Sequence, residues 1–221
     1  MSTAVCLVSG GLDSCVAAAE AEAKGLSLAF LHISYGQLTQ ARERGAFEAI
    51  AEHYGVVKTL STDLPYLGLI GGSALTDRTV PLPEADINRS GVPASYVPFR
   101  NGNLLSIAAS WAEVLQAEYI YIGAVEEDSS GYPDCRQSFF RVFNELVRLG
   151  THPETRLEVV TPLIHLKKKE IVLRGIELGA PLELTWSCYQ NEDVACGSCD
   201  SCLLRLRGFQ EAEVPDPVPY P

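Results

Sequence analysis

Positive charge is scarce in this chain. Lys and Arg number 17 against 28 Asp and Glu, a formal net charge of −11. Non-specific affinity for nucleic acid comes from Lys and Arg at phosphates, so a broad tRNA or DNA surface is excluded and no direct nucleic-acid partner is expected. A local basic pocket for a small anion is still compatible with that balance, and the expected partner is a small molecule. Apolar runs are also short. None approaches the roughly 18 residues of a membrane span, so no membrane partner is expected. The first residues, MSTAVCLVSGG, lack the basic stretch and long apolar core of a secretory signal, which leads us to expect a cytoplasmic location with reduced thiols. Cysteine is thin over most of the length, with only Cys6, Cys15 and Cys135 before residue 188. A chain of 221 residues can bury a core without disulfides. No internal repeat is present, and the four histidines (His32, His53, His152, His165) are scattered and assigned to no metal.

Apolar strands alternating with helical patterns fill the rest. Strands are expected at Ala4–Val8, Ser27–Ser34, Val56–Thr62, Glu118–Ala124 and Leu157–Leu163. Helices are expected at Ser14 to about Lys24, Leu38–Tyr54, after Asn101 to about Gln116, Arg136–Leu149 and Lys168–Leu178. This order predicts βαβ units, hence a Rossmann-like α/β fold: a parallel sheet with right-handed crossovers and helices on both faces. Residues 63–98, rich in Gly and Pro, read as a long loop or lid. The tail EAEVPDPVPYP reads as extended or disordered.

Two segments carry chemistry. The first strand runs into Ser9-Gly10-Gly11-Leu12-Asp13-Ser14 and then a helix. Paired glycines open the backbone amides to a polyphosphate, and the helix start adds N–H groups and a positive dipole end. Ser9 and Ser14 can donate hydroxyls, and Asp13 can hold Mg²⁺ or cap the helix. No Gly-Lys-Ser/Thr closes the loop, so it is not a Walker A motif, nor is it the dinucleotide G-x-G-x-x-G. A glycine turn with a polar cap is the plain alternative. The second segment is Cys188-x7-Cys196-x2-Cys199-x2-Cys202, with Gly197 permitting a tight turn. Four thiolates suit one structural Zn²⁺, and an iron–sulfur cluster is the rival, although its usual Cys-x3-Cys-Pro continuation is replaced here by Leu203-Leu204-Arg205-Leu206.

SGGLDS resembles the signature of the PP-loop superfamily of N-type ATP pyrophosphatases, and TPLIHLKKKEIV (161–172) is similar to that superfamily's Pro-Leu-x-x-Leu-x-Lys segment, with Lys168 at the lysine position. Together with YGQ (35–37), VPFRN (97–101), EDSSGYPDCR (127–136), ELTWSCY (183–189) and CGSCDSC (196–202), these segments resemble the 7-cyano-7-deazaguanine synthase family over about residues 4–208. The resemblance implies an enzyme using ATP with Mg²⁺ to turn 7-carboxy-7-deazaguanine and ammonia into the 7-nitrile by way of an adenylated carboxylate and an amide. It implies ATP contacts along Val8, Ser9, Gly10, Gly11, Leu12, Asp13, Ser14, Cys15, Val16, Ala17 and Ala18. Asp13, Ser14, Arg100 and Lys168 would act in catalysis. Tyr132, Asp134 and Arg136 would meet the substrate, Asp134 at the guanine-like edge and Arg136 at the carboxylate. Trp186 has two readings, stacking on a base or packing in the core. The expected organisation is an ATP-binding unit at 1–184, a zinc module at 185–208 holding Cys188, Cys196, Cys199 and Cys202, and a tail at 209–221, in a homodimer. Phe99 departs from the pattern, standing where the family has Gly, which would alter the pocket near Arg100. A relative joining the deazaguanine to another amine or protein, a PP-loop tRNA thiolation enzyme, and a non-catalytic ATP- and zinc-binding module are the alternatives.

Overall fold

The computed structural model describes residues 2–81, 86, 91–126 and 131–221. The strands are β1 (Thr3–Leu7), β2 (Ser27–Ser34), β3 (Lys58–Asp63), β4 (Tyr119–Ile122) and β5 (Glu158–Val160). They form one parallel sheet in the order β3-β2-β1-β4-β5. The helices are α1 (Leu12–Ala23), α2 (Gln40–His53), α3 (Pro65–Leu69), α4 (Arg100–Leu115), α5 (Gln137–Gly150), α6 (Lys168–Glu177) and α7 (Asp200–Glu211). The expected α/β class holds, and no described helix is long and apolar enough to cross a membrane.

Strand side chains alternate between faces, and the sheet therefore builds two cores. Ala4, Cys6 and Phe30 face α1, α2, α6 and α7, meeting Val16, Ile50, Ile171 and Phe209. Val5, Leu7, Ala29 and Leu31 face α4 and α5, meeting Leu105, Ala108, Phe140 and Phe143. Both faces of β1 and β2 are covered, which explains their continuous apolar runs.

Two expectations change in detail. Residues 63–98 contain the short helix α3, started by Pro65, whose ring suits a first helical turn. The C-terminal segment also forms a helix: α7 runs from Asp200 to Glu211, through the expected boundary at residue 208. The tail beyond it has no regular element but is tied down. Arg205, buried in α7, donates to Asp216 from Nε (2.8 Å) and Nη2 (2.9 Å), Tyr220 Oη donates to the same carboxylate, and Val218 is buried.

Candidate active site

In this strand order β1 is the reversal point: consecutive crossovers proceed outward to β2 and β3, and the chain then returns to the other side at β4. Such a reversal opens a crevice at the carboxyl ends of the strands. A cavity of about 290 Å³ lies there, walled by the ends of β1, β2 and β4 and the starts of α1 and α4. Leu7, Leu31, Ile33, Leu104 and Ile122 line its apolar side, and Tyr35, Glu43, Arg100, Tyr132 and Tyr189 its polar side.

The Ser9–Ser14 loop holds its shape through its own hydroxyls. Ser14 Oγ donates to the Gly11 carbonyl (2.9 Å) and accepts the Ser9 amide (3.2 Å), while Ser9 Oγ accepts the Gly11 amide (3.2 Å). Gly10 has φ +90°, and a Cβ there would come 2.5 Å from the Glu43 carbonyl oxygen, so only glycine lets the loop cross α2 this closely. The Gly10 carbonyl accepts the Trp186 amide (2.8 Å). The loop is thus clasped between α2 and the segment leading into the cysteines. Below it, His32 Nδ1 lies 3.1 Å from the Val8 carbonyl, and burial, with Arg44 nearby, pushes the imidazole pKa down.

Lys168, the first residue of α6, places Nζ 2.6 and 2.7 Å from the two Asp13 oxygens. This pair lies on the cavity wall. The Lys168 stem crosses α7 where Gly208 leaves room, since a Cβ at 208 would come 2.4 Å from Lys168 Cγ. Arg100, the first residue of α4, donates from Nη1 to Tyr35 Oη (3.0 Å), with its guanidinium 5.4 Å from that ring.

The structure thus brings Val8, Ser9, Gly11, Leu12, Asp13, Ser14, Arg100, Tyr132 and Lys168 to one cavity. Gly10 shapes the loop without lining it. Cys15, Val16, Ala17 and Ala18 pack into the core on the inner face of α1 and do not line the cavity. Asp134 and Arg136 are not on the wall either. Pro133–Cys135 is a 3₁₀ turn that carries Asp134 to the start of α4, where its carboxylate accepts the Asn101 amide (2.9 Å) and its carbonyl accepts Asn101 Nδ2 (3.0 Å). Arg136 is exposed ahead of α5. Residues 127–130 of the EDSSGYPDCR segment lie outside the described residues. Cys135 does line the cavity, but burial, opposed by Arg100, pushes its thiol up to about 11, so it is protonated at neutral pH.

Phe99 lies away from the cavity. It is left-handed (φ 53°), its ring covers Gly102 and it meets Phe139 edge-on at 6.0 Å. Backbone conformation explains why glycine suits this position. The Phe99 ring is not among the groups that line the cavity.

Sequence reasoning about single residues did not single out Tyr35, Glu43 or Tyr189. Tyr35 and Tyr189 sit inside the YGQ and TWSCY segments. Glu43 reads along the chain as one more acid on α2, and only the Gln37 and Thr39 side chains mark it out in space.

The four cysteine sulfurs lie within 4.8 Å of one another and are unbridged. A tetrahedral ion with bonds of about 2.3 Å needs sulfurs roughly 3.8 Å apart, and Cys196 and Cys202 are at 3.9 Å. Amides of Gln190, Asn191 and Cys196 point at Cys188 Sγ, and those of Ser198 and Cys199 at Cys196 Sγ, turning backbone N–H groups toward both sulfurs. The donor set fits one soft cation. In an iron–sulfur cluster the four thiolates are shared among two or four irons, which demands a wider spread. Trp186 packs among these cysteines, with the Arg42 guanidinium 4.5 Å above its ring, and it also borders the cavity.

Comparisons with known proteins agree with this arrangement. Residues 3–213 match the family described as "Queuosine biosynthesis protein QueC". The chain is 56% identical over 217 residues to the 7-cyano-7-deazaguanine synthase of Chlorobium chlorochromatii (strain CaD3), covering 98% of this chain and 95% of that one. It is also 56% identical to the 7-cyano-7-deazaguanine synthase of Chlorobaculum tepidum, covering 98% and 96%. Among solved structures it is similar to a 4-thiouridine synthetase in a complex with RNA and bound ATP, with a TM-score of 0.54 at 22% identity. That match covers this whole chain and 48% of the other, a likeness of fold alone. On the extent of these matches, the chain belongs to the QueC family of queuosine biosynthesis proteins.

Proposed function

We propose that this chain converts 7-carboxy-7-deazaguanine, ammonia and ATP into 7-cyano-7-deazaguanine. The observation that carries the reading is the convergence of the Ser9–Ser14 loop, the Asp13–Lys168 pair and Arg100 on one cavity, in a QueC-family chain. The reaction must make a carboxylate oxygen leave, then an amide oxygen. The carboxylate attacks the α-phosphorus of ATP and releases pyrophosphate, and ammonia then displaces AMP to give the amide. A second ATP activates the amide oxygen in the same way, and loss of AMP and a proton leaves the nitrile.

No step in this sequence needs a covalent bond to the protein, whose work is positioning and charge stabilisation. Loop amides and the Ser9 and Ser14 hydroxyls hold phosphate oxygens. Lys168 and Arg100 offset the charge that develops as pyrophosphate departs. Asp13 is the carboxylate placed to hold Mg²⁺, which when bound neutralises phosphate charge. Tyr132, with Tyr35 and Tyr189, offers aromatic walls to a flat heterocycle. We assign the cysteine cluster to one structural Zn²⁺ per chain, in a module from residue 185 through the end of α7 at Glu211 on an ATP-binding unit over 1–184, with 212–221 as the tail. A cytoplasmic homodimer is the expected assembly, and the exposed Val142, Leu146 and Leu149 stripe on α5 offers an apolar face to a second copy. A thiolation reading would ask for reactive cysteines at the cavity, and Cys135, the one cysteine among its described lining residues, is a protonated thiol.

The test is direct. Purified protein given 7-carboxy-7-deazaguanine, ammonium and Mg-ATP should yield the amide and then the nitrile by mass spectrometry. Formation of neither overturns the reading.

A further inference from the structure

A deazaguanine presents two neighbouring donors, the N1–H and the 2-amino group. A carboxylate is the side chain that accepts both at once. Asp134, the acid nearest the expected substrate segment, does not line the cavity and is engaged with the start of α4. The described cavity wall carries two carboxyls, Asp13 and Glu43. Asp13 is held by Lys168 at both oxygens and faces the phosphate loop.

Glu43 has a different environment. It is carried on the first turn of α2, one of its oxygens accepts Gln37 Nε2 (3.0 Å) and the other accepts Thr39 Oγ1 (2.8 Å). Gln37 and Thr39 are buried, and Gln37 is itself fixed by accepting the Tyr35 amide (2.8 Å). Two neutral donors therefore orient the carboxylate without neutralising it. Each oxygen keeps acceptor capacity on a cavity that also presents the rings of Tyr35, Tyr132 and Tyr189. Burial pushes the Glu43 carboxyl above its ordinary range, with Thr39, Gln37 and Arg100 opposing and Glu192 adding to the rise. A pair of N–H donors is what such a desolvated carboxylate lacks.

We propose that Glu43, rather than Asp134, recognises the N1–H and 2-amino edge of the heterocycle and sets specificity for guanine-type substrates. This inference rests on the function proposed above and deepens it. Gly10 packs against the Glu43 backbone carbonyl, so the residue that reads the heterocycle is also fixed to the loop that holds ATP.

The experiment compares wild type, Glu43→Gln and Glu43→Ala. Binding is measured calorimetrically for 7-carboxy-7-deazaguanine and for the analogue with hydrogen in place of the 2-amino group, and nitrile formation gives KM and kcat. Wild type should bind the 2-amino compound roughly 10- to 100-fold more tightly than the analogue, the usual effect of hydrogen bonds to a charged group. Glu43→Gln should raise KM by a similar factor, shrink the discrimination to a few-fold and leave ATP affinity and the melting temperature near wild type. If Glu43→Gln, or Glu43→Ala, discriminates between the two compounds as wild type does, Glu43 does not read that edge. In that event nitrile formation by wild type still upholds the reaction. Wild type that binds the 2-amino compound with discrimination, loses it in Glu43→Gln and makes no nitrile upholds Glu43 and overturns the reaction. Wild type that binds neither compound overturns both.

Discussion

In the function proposed above, the Ser9–Ser14 loop would hold an anion and the cysteine cluster a cation, by opposite means. The loop offers backbone amides, hydroxyls and the end of a helix to an anion, and its groups face a cavity. The cysteine module turns four sulfurs inward on one point, with Cys188, Cys199 and Cys202 buried. An open set of donors serves turnover, because its ligand must arrive and leave. A closed set serves stability, because nothing needs to exchange. The two regions nonetheless touch. Trp186, two residues before Cys188, donates its amide to Gly10, Arg42 of α2 covers the Trp186 ring, and Glu192 accepts amides at the start of α2 (3.1 Å from Ala41).

The sharpest contrast should come from paired variants. Asp13→Ala and Lys168→Ala should each lower nitrile formation by roughly 10²-fold or more while the circular dichroism spectrum stays native. Cys202→Ser, or prolonged chelation, should instead lower the melting temperature by roughly 10 °C or more, because a metal bound there would contribute folding free energy. ATP affinity measured on the chelated protein below its melting point then probes the contact between the regions. A fall shows that the module also shapes the loop through Gly10, and an unchanged value makes it a staple only.

Gly208→Ala is expected to blur the division from the module side. A methyl group there displaces the Lys168 stem, and a displacement of about 1 Å in a charged group costs up to roughly 10²-fold in rate. We expect kcat to fall 10-fold or more, on the order of that limit, and the melting temperature to fall with it, since the methyl also presses on Lys168 Cβ (3.0 Å) and its backbone carbon (3.2 Å). Steady-state kinetics beside a thermal melt decide it.

A smaller effect concerns the floor of the loop. The His32 pKa is lowered in the folded state, so the neutral ring contributes stability at and above the ordinary value near 6.5. That contribution is lost as pH falls from there toward the folded value, as the unfolded chain binds the extra proton. Arg44 adds to the lowering, and Asp63, Glu48 and the Val8 carbonyl oppose it. Melting temperatures at about pH 7.5 and about pH 5.5 should differ more for wild type than for His32→Asn, by up to about 1.4 kcal/mol per pH unit. The smallest effect is expected at Phe99→Gly. Relief of a left-handed residue gains about 1 kcal/mol and loss of ring packing on Gly102 and Phe139 offsets it, so melting should shift within about 4 °C at unchanged KM.

Much of the site was legible along the chain because its parts are local. SGGLDS is a strand end, a glycine turn and a helix start within six residues, and the last three cysteines are spaced so that one turn gathers them. Lys168 was legible through the Pro-Leu-x-x-Leu-x-Lys segment that it ends, since a lysine at a helix start alone reads as a solvated charge. The ATP-binding stretch was drawn too long, since Cys15 to Ala18 continue the motif in sequence while the helix turns them into the core. Asp134 looked like a recognition residue because it carries a carboxylate within the SGYPDCR segment, but the 3₁₀ turn aims it at the start of α4. The α7 helix was missed because the cysteines and the proline-rich tail on either side dominate its composition.

By itself, then, the sequence determined the alternation of strands and helices, the phosphate loop and the set of four sulfurs, all of which depend on residues within a few positions of one another. The tertiary structure decided which side chains share the cavity. Tyr35 with Glu43, Arg100, Lys168 and Tyr189 come from four separate parts of the chain, and they meet because the strand order reverses at β1. Glu43 is an ordinary acid on a helix until Gln37, Thr39 and the cavity surround it, and burial and bonding partners are properties of the fold.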